Sequence, residues 1–431
     1  MADNALMALA GERIGRSGAI TDLIRFPRSS IDFPYHVVTA RVADRFEEGL
    51  AESTARCVAS GVSEDPEIAT MAAVGEAWER IAFVDAIRRL HEHPPAACPA
   101  DIDAEYLFNL PFLLDRGTSR ASWSESAKRS GNVRLLEYNR HLAAGQAVSV
   151  WVPASVIVDK SPTSLLETTN GLACAETYEV ALDRAIREIV ERDALMLVWL
   201  TKSGGNRILP EQVLSEQQCT QIERMAGLGI RTIVRDISTN LGIRVFLVCM
   251  SARFGGKKVG LAFGAGAHHE PCTAARHAFR EACLSWRGVA WRSVTGHLPA
   301  AQESPASFAD HAEYYSSWDR MDQLEFLLRE DPPLLVDSRS VKTQLPEQIA
   351  DDGHLERLLE QGYTVLSTEI TPKEASGTGL HVVQAVIPGL VPLYIGDRNA
   401  DELAMARLPT VIGGEPTPAP AALNTMVHPW P

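Results

Sequence analysis

The sequence has no apolar run approaching the roughly 18 residues a membrane helix needs, and Met1-Ala2-Asp3-Asn4 sets no basic segment ahead of an apolar one. A membrane partner and a secretory signal are therefore not expected. Its seven cysteines, at 57, 98, 174, 219, 249, 272 and 283, are odd in number and contain no Cys-x-x-Cys. That pattern argues against a disulfide framework and a structural zinc, and it suits a reducing compartment. Basic residues are short: 41 Lys and Arg stand against 55 Asp and Glu, a formal net charge of −14. Non-specific nucleic-acid binding, which depends on neutralising phosphates, is disfavoured. No Gly-x-x-x-x-Gly-Lys-Ser/Thr loop and no kinase signature set is present, so a phosphate site would have to be built another way. What is plentiful is apolar side chain, 45% of 431 residues, ample for a large core. The expectation is a cytoplasmic globular protein with neither nucleic acid nor membrane as partner.

The chain is organised around Thr169 to Leu200. Asn170-Gly171 signals a turn, Thr177 can cap a helix, and a helical pattern then runs until Ser203-Gly204-Gly205 stops it. Leu182, Ala185, Ile186, Ile189 and Met196 form an apolar stripe opposite a face that carries Arg184, Glu188, Glu191 and Arg192. Glu-x-x-Glu-Arg at 188–192 alone reads as a solvated face. A second copy, Glu76-Ala77-Trp78-Glu79-Arg80, lies on a segment opened by Asp65 as N-cap and Pro66 at the first helical position. One such pentad arises by chance in about one chain in ten of this size; two ask for a joint cause.

Like charges about 4 Å apart repel by about 4 kcal/mol at an effective dielectric near 20. Four clustered glutamates would take up protons or recruit cations. Hard oxygen ligands select Mg²⁺, and Mg²⁺ held by a few carboxylates commonly shares its shell with phosphate oxygens. The pattern points to a nucleotide held through bridging metals.

The Thr-Asn-Gly-x-Ala turn followed by Glu-x-x-Glu-Arg-Asp, with the earlier Glu-x-x-Glu-Arg helix, resembles the YcaO family of ATP-dependent peptide-backbone-modifying enzymes. Gly18 to Val42 is similar to its opening segment, Gly264-Ala265-Gly266 leading into Ala278-Phe279-Arg280-Glu281-Ala282 to its third motif, and Ile387 to Leu393 to its strand-turn-strand before the tail. His428-Pro429-Trp430-Pro431 is similar to the proline-rich terminus of the azoline-forming cyclodehydratase branch. Three places depart from that pattern, one of them Val427, which stands where the first proline of the usual Pro-x-Pro-x-Pro would be. Ala59-Ser60-Gly61-Val62-Ser63 stands where azoline-forming relatives carry Ser-Gly-Lys-Gly, and Leu284 where they carry Gln.

The resemblance implies an α+β fold, a single YcaO-type catalytic domain of mixed or antiparallel sheets whose helices carry the ATP and Mg²⁺ site. It sets residues 1–17 as an N-terminal extension, 18–412 as the catalytic domain and 413–431 as a proline-rich tail reaching the active site. Glu76, Glu79, Glu188 and Glu191 would hold Mg²⁺. Asn170, Arg192, Arg80, Arg276, Arg280 and Glu281 would bind or orient ATP, and His428 with the Pro431 carboxylate would handle protons. The implied activity is conversion of Cys, Ser or Thr in a ribosomal precursor peptide to thiazoline or oxazoline, by phosphorylation of the backbone amide oxygen. A separate leader-peptide-binding partner of the ThiF-like type is expected, because the family likeness begins near Gly18. The oligomeric state is left open, a homodimer included. A thioamide- or amidine-forming relative and a non-catalytic peptide-binding scaffold remain as alternatives.

Elsewhere, strands are expected at Tyr35–Ala40, 133–138, 148–153, Arg231–Asp236, Arg244–Met250, Lys258–Phe263, 363–370 and 381–387. Helices are expected at 216–228, on the surface, at about 273–292 and within 353–362. Residues 104–114 are apolar and of open type. His268-His269 reads as loop, its two rings pointing different ways. Cys174 reads as structural, and Asp193, on the apolar side of its helix, needs a buried partner.

Overall fold

The computed structural model describes residues 14–15, 18–26, 33–46, 58–92, 135–153, 169–254, 258–295, 311, 314–315, 318–333, 353–375, 377–393, 407–408 and 423–430. In chain order the main elements are β1 (Ile20–Phe26), β2 (His36–Val42), β3 (Val58–Ser63), α1 (Pro66–Glu92), β4 (Leu135–His141), β5 (Ala147–Pro153), β6 (Leu172–Ala175) and α2 (Tyr178–Thr201). There follow β7 (Asn206–Ile208), α3 (Glu216–Gly227), β8 (Arg231–Asp236), β9 (Arg244–Phe254), β10 (Lys258–His268), α4 (Pro271–Thr295), α5 (His354–Glu360), β11 (Leu366–Glu369) and β12 (His381–Val386). The strands form three sheets, ordered β1-β2-β3, β10-β9-β8-β7 and β5-β4-β11-β12-β6, and their ladders are antiparallel. The α+β class is borne out. The apolar segment 104–114, the tail segment 413–422 and Pro431 lie outside the described residues.

Three cores result from strands that bury both faces, which period-two alternation separates cleanly. In β9, Val245, Leu247 and Cys249 pack toward α2, whereas Phe246, Val248 and Met250 pack toward α4. In β6, Ala173 and Ala175 face α2 while Leu172 and Cys174 face the core around α1. Helix α2 is thus wedged between the four-stranded and five-stranded sheets. Thr177 caps it, its hydroxyl accepting from Val180 N. Every residue from Asp193 to Leu200 is buried, so the expected one-sided docking holds only for the first half of α2. Asp193 finds its partner in Arg407, whose Nε and Nη2 each reach Oδ2 at 3.0 Å, and Val391 N donates to Oδ1 at 2.9 Å.

Asp65 caps α1, its Oδ1 accepting from Glu67 N at 2.7 Å and Ile68 N at 3.2 Å. Helix α4 lies directly on β10. A Cβ at Gly264 would sit 2.1 Å from Ala282 N and one at Gly266 2.4 Å from Ala274 O, so these glycines permit the close approach. Strands β9 and β10 run longer than their apolar patterns suggest, and Gly264-Ala265-Gly266 lies inside β10 rather than between elements. Helix α3 is half internal: Gln218, 2% exposed, donates from Nε2 to the Tyr35 hydroxyl at 2.9 Å. No helix among the described residues is long and apolar enough to cross a membrane.

Candidate active site

A cavity of about 710 Å³ opens between α1, α2, α4 and the inner end of β10. Each helix contributes acid. Gly75, Glu76 and Glu79 come from α1, Glu188, Glu191 and Arg192 from α2, and Arg280 and Glu281 from α4. The i,i+3 spacing of each Glu pair puts both carboxylates on one helical face, and the two faces meet across β6.

The carboxylates are anchored by backbone. Glu76 Oε2 accepts from Ser60 N at 2.8 Å and Glu79 Oε1 from Cys174 N at 2.8 Å. Glu188 takes hydrogen bonds from the backbone of Leu172 and Gly171, and Glu191 from that of Ala267. The Asn170-Gly171 turn therefore presents amides to α2. Gly171 adopts φ 71°, and a Cβ there would meet Ala385 O at 2.5 Å and Ile189 Cδ1 at 2.8 Å.

Electrostatics show that the acids share one space. Burial, then the charges of Glu188 and Glu76, push the Glu79 carboxyl well above its ordinary range. Burial lifts Glu188 to about 7, with Arg192 opposing and Glu191 adding to the rise. Glu281 is raised first by burial and then, against Arg280, by Glu76 and Glu191. Arg192 sits 3.6 Å from Glu188 and 3.3 Å from Glu191, which offsets part of the negative charge. A cluster of this kind gains from any added cation.

Other expected residues take different places. Arg80 pairs with Glu76 Oε1 at 2.5 Å without lining the cavity, and Asn170 Nδ2 donates to Leu393 O at 2.8 Å, tying the turn to the segment after β12. Arg276 is exposed, donates to Thr273 Oγ1 at 2.8 Å and does not line the cavity, whereas His277 and Arg280 of the same helix do. His428 is 1% exposed, its Nδ1 lies 3.3 Å from His311 Nδ1, and it does not line the cavity. Pro431 lies outside the described residues, but Trp430 lines the cavity, packed edge-on to Phe263 at 5.2 Å and Trp199 at 6.4 Å. Trp199 Nε1 donates to Met426 O at 2.9 Å, and the Tyr315 hydroxyl donates to Val427 O.

Cys174 lines the cavity in its protonated form, since burial followed by the Glu79 charge holds its thiol well above the usual value; a structural role fits. His268 ends β10 and its ring lies 4.2 Å from that of His269, so the pair stacks instead of diverging. Arg184, already placed on the acidic face of α2, lines the cavity, and sequence reasoning missed Glu176, Arg187 and His277, which line it too. Arg184, Arg187, Glu188 and Glu191 recur at helical spacing, so the face that held the glutamates already contained Arg187.

No group of three or more His, Cys, Asp or Glu side chains among the described residues is arranged to chelate one ion. The donor set instead suits ions that take one or two carboxylates each and complete their shells with phosphate oxygens and water, the habit of Mg²⁺.

Comparison with known proteins adds the following. A family model described as YcaO cyclodehydratase, ATP- and Mg²⁺-binding, matches residues 60–391. A solved heterocyclase in complex with substrate and cofactor superposes with TM-score 0.67 at 18% identity, covering 100% of this chain and 57% of that one. YcaO from Methanopyrus kandleri bound with AMPPCP and Mg²⁺ gives TM-score 0.63 at 17% identity, covering 97% and 95%. The E. coli microcin synthetase McbBCD complex with pro-MccB17 bound gives 0.63 at 15% identity, covering 95% and 96%. At such identities these structures share the fold. Among curated proteins, an uncharacterized protein in the tfuA 3′ region of Rhizobium leguminosarum bv. trifolii is 28% identical over 132 residues, 29% of this chain and 31% of that protein. The chain thus spans little over half of the heterocyclase and under a third of the curated relative.

Proposed function

This chain belongs to the YcaO family, and from that premise we propose that it is an ATP-dependent cyclodehydratase that forms thiazoline or oxazoline rings in a ribosomally made precursor peptide. The observation that supports this most is the convergence of Glu76 and Glu79 with Glu188 and Glu191 in one cavity, with Glu281 beside them and Arg192 and Arg280 among them.

In the proposed reaction a Cys, Ser or Thr side chain attacks the carbonyl carbon of the preceding amide, losing its proton. The resulting oxyanion takes the γ-phosphoryl group of ATP and leaves ADP. The phosphorylated oxygen then departs as phosphate while the amide nitrogen gives up its proton, closing the C=N bond. The chemistry needs ATP because a bare oxyanion is a poor leaving group.

The four glutamates of the paired motifs would hold Mg²⁺, which when bound offsets charge on the triphosphate and on the transition state. This chain's own residues do the rest. The backbone amides of Ser60, Leu172, Gly171, Cys174 and Ala267 fix the carboxylates in place. Arg192 and Arg280 supply positive charge toward the phosphates, as guanidinium groups do well. Trp430 covers one wall and keeps water from it. The Ser-Gly-Lys-Gly lysine is absent: set on Ser60-Gly61-Val62-Ser63, its position is taken by the buried, apolar Val62 of β3. Phosphate contacts must come from arginines instead.

The test is to incubate the chain with a candidate precursor and its leader-binding partner, ATP and Mg²⁺, and to follow peptide mass and phosphate together. Loss of one water per phosphate released supports the reading. Phosphate release without mass change marks uncoupled hydrolysis, exchange of oxygen for sulfur on adding sulfide marks thioamide formation, and neither product marks a scaffold; each of the three contradicts it.

A further inference from the structure

Four arginines line the cavity, and they are not equivalent. Arg184 Nη1 donates to the Cys174 carbonyl at 2.8 Å, and Arg192 is held between two glutamates. Arg280 belongs to the motif already assigned to the nucleotide. Arg187 is different because its tether lies outside the acid cluster. Its Nε lies 2.9 Å from Asp183 Oδ2, one helical turn back on α2, a close ion pair whose N–H is not aligned as a hydrogen bond. Holding a guanidinium by its Nε leaves the two terminal nitrogens, the part that grips phosphate or carboxylate in a planar fork, for the cavity the residue lines.

Asp183 is itself held. Its Oδ1 is bonded by Nδ1 of His354, the first residue of α5, whose ring is buried. The ring's Nε2 is buried with no partner among the described residues, so its described hydrogen bond is spent on Asp183. Burial pushes the Asp183 carboxyl up, but the His354 hydrogen bond and charge and the Arg187 charge more than reverse this, and it stays ionised. The field of Arg187 reaches across the site. Burial, then Arg280, then Arg187 bring His277 down to about 3, and Arg187 with Arg192 opposes the burial that raises Glu191. Arg187, Glu191 and His277 line the same cavity, where α2 and α4 both border it.

We propose that Arg187 is a phosphate-gripping residue of this cavity, and that Asp183 and His354 are the pair that positions it. The assignment rests on the nucleotide reading above and adds to it a cation where β3 lacks the lysine. A triphosphate entering a cavity lined by six glutamates needs a positive group that is not already neutralised by them. Arg187 comes nearest to that need, since its ion pair is with Asp183, which does not line the cavity, and Glu191 is only a neighbouring charge.

The experiment titrates AMPPCP with Mg²⁺ into the full chain by calorimetry and records melting temperature alongside. A charge-assisted contact is worth about 1.5–3 kcal/mol, so Arg187→Gln should weaken binding about ten- to a hundredfold with the fold retained. Asp183→Asn and His354→Leu should each weaken it less, and His354→Asn, whose amide can donate from near the Nδ1 position, should restore most of the affinity. In turnover assays the loss should fall on KM for ATP, with KM for the peptide unchanged. Wild-type binding in Arg187→Gln, or a His354→Leu variant that melts lower yet binds AMPPCP normally, overturns the assignment. Should Arg187→Gln not fold, Arg187→Lys decides: it keeps the charge and loses the fork, and unchanged affinity there also overturns it. A wild-type chain that binds no AMPPCP at all refutes the nucleotide reading itself.

Discussion

Replacing Glu188 by Gln should make the ligand-free protein more stable while destroying its activity, and the gain should depend on pH in a defined way. The Glu188 carboxyl, with an ordinary value near 4.5, is lifted to about 7 by burial against the opposing Arg192. An acid raised on folding stabilises the native state below its unfolded value and loses that contribution as pH rises through the folded one. The penalty of keeping Glu188 ionised is thus absent below about pH 4.5 and complete above about pH 7. At 1.36 kcal/mol per unit it amounts to about 3 kcal/mol. A quarter-exposed side chain makes this an upper figure. Glutamine keeps an acceptor for the Leu172 and Gly171 amides and removes the charge, and Glu79 gains as well because it loses a charged neighbour. With an unfolding entropy of about 2.1 cal/mol/K per residue, about 3 kcal/mol in a chain of this length is a shift of about 3 °C. Calorimetric melting in matched buffers without Mg²⁺ or nucleotide should show wild type and Glu188→Gln nearly together at pH 5, diverging to about 3 °C in favour of the variant by pH 8. Equal melting temperatures at every pH, or a variant less stable throughout, would show that Glu188 carries no strain and that the cluster does not call for a cation.

Other outcomes follow from the same packing. Glu191→Gln should abolish turnover with little change in melting, read by phosphate release; retained turnover removes Glu191 from the metal site. Asp193→Asn should cost about 3–5 kcal/mol, because it leaves Arg407 buried beside a neutral group, and urea midpoints check this. Gly264→Ala should destabilise by about 1–3 kcal/mol, since its Cβ would stand 2.1 Å from Ala282 N, and it should weaken nucleotide binding because α4 carries Arg280 and Glu281. Trp430→Ala should cost about 3–5 kcal/mol and open one wall of the cavity, seen as lower stability together with raised uncoupled ATP hydrolysis.

Much of this site is legible in the sequence alone, because the rules that shape it are local. Caps are local, so Thr177 and Asp65 placed the starts of α2 and α1. The spacing of three between glutamates is a local rule as well, and the repeated pentad implied that two distant helices answer each other. What escaped was set by tertiary contact. Strand β6 is four residues of Leu, Ala, Cys and Ala, too short and too small to announce itself, yet it separates two cores and donates Cys174 N to Glu79. Arg276 and Arg280 share a spacing of four, but where α4 lies on β10 decides which enters the cavity, and that depends on Gly264 and Gly266. Arg187 was passed over because its meaning comes from His354, distant in sequence and brought in by α5. The burial of His428 against His311 is likewise a tertiary contact that its place in a proline-rich end does not announce.

The measurement that bears most directly on the central claim is calorimetric titration of AMPPCP into the wild-type chain with Mg²⁺ and with EDTA, repeated for Glu79→Gln and Glu191→Gln, one carboxylate from each helix. Binding that requires Mg²⁺ and is lost in both variants is the result expected of a nucleotide held through metals shared between α1 and α2. Binding of equal strength in EDTA, or affinity untouched by either substitution, would contradict it.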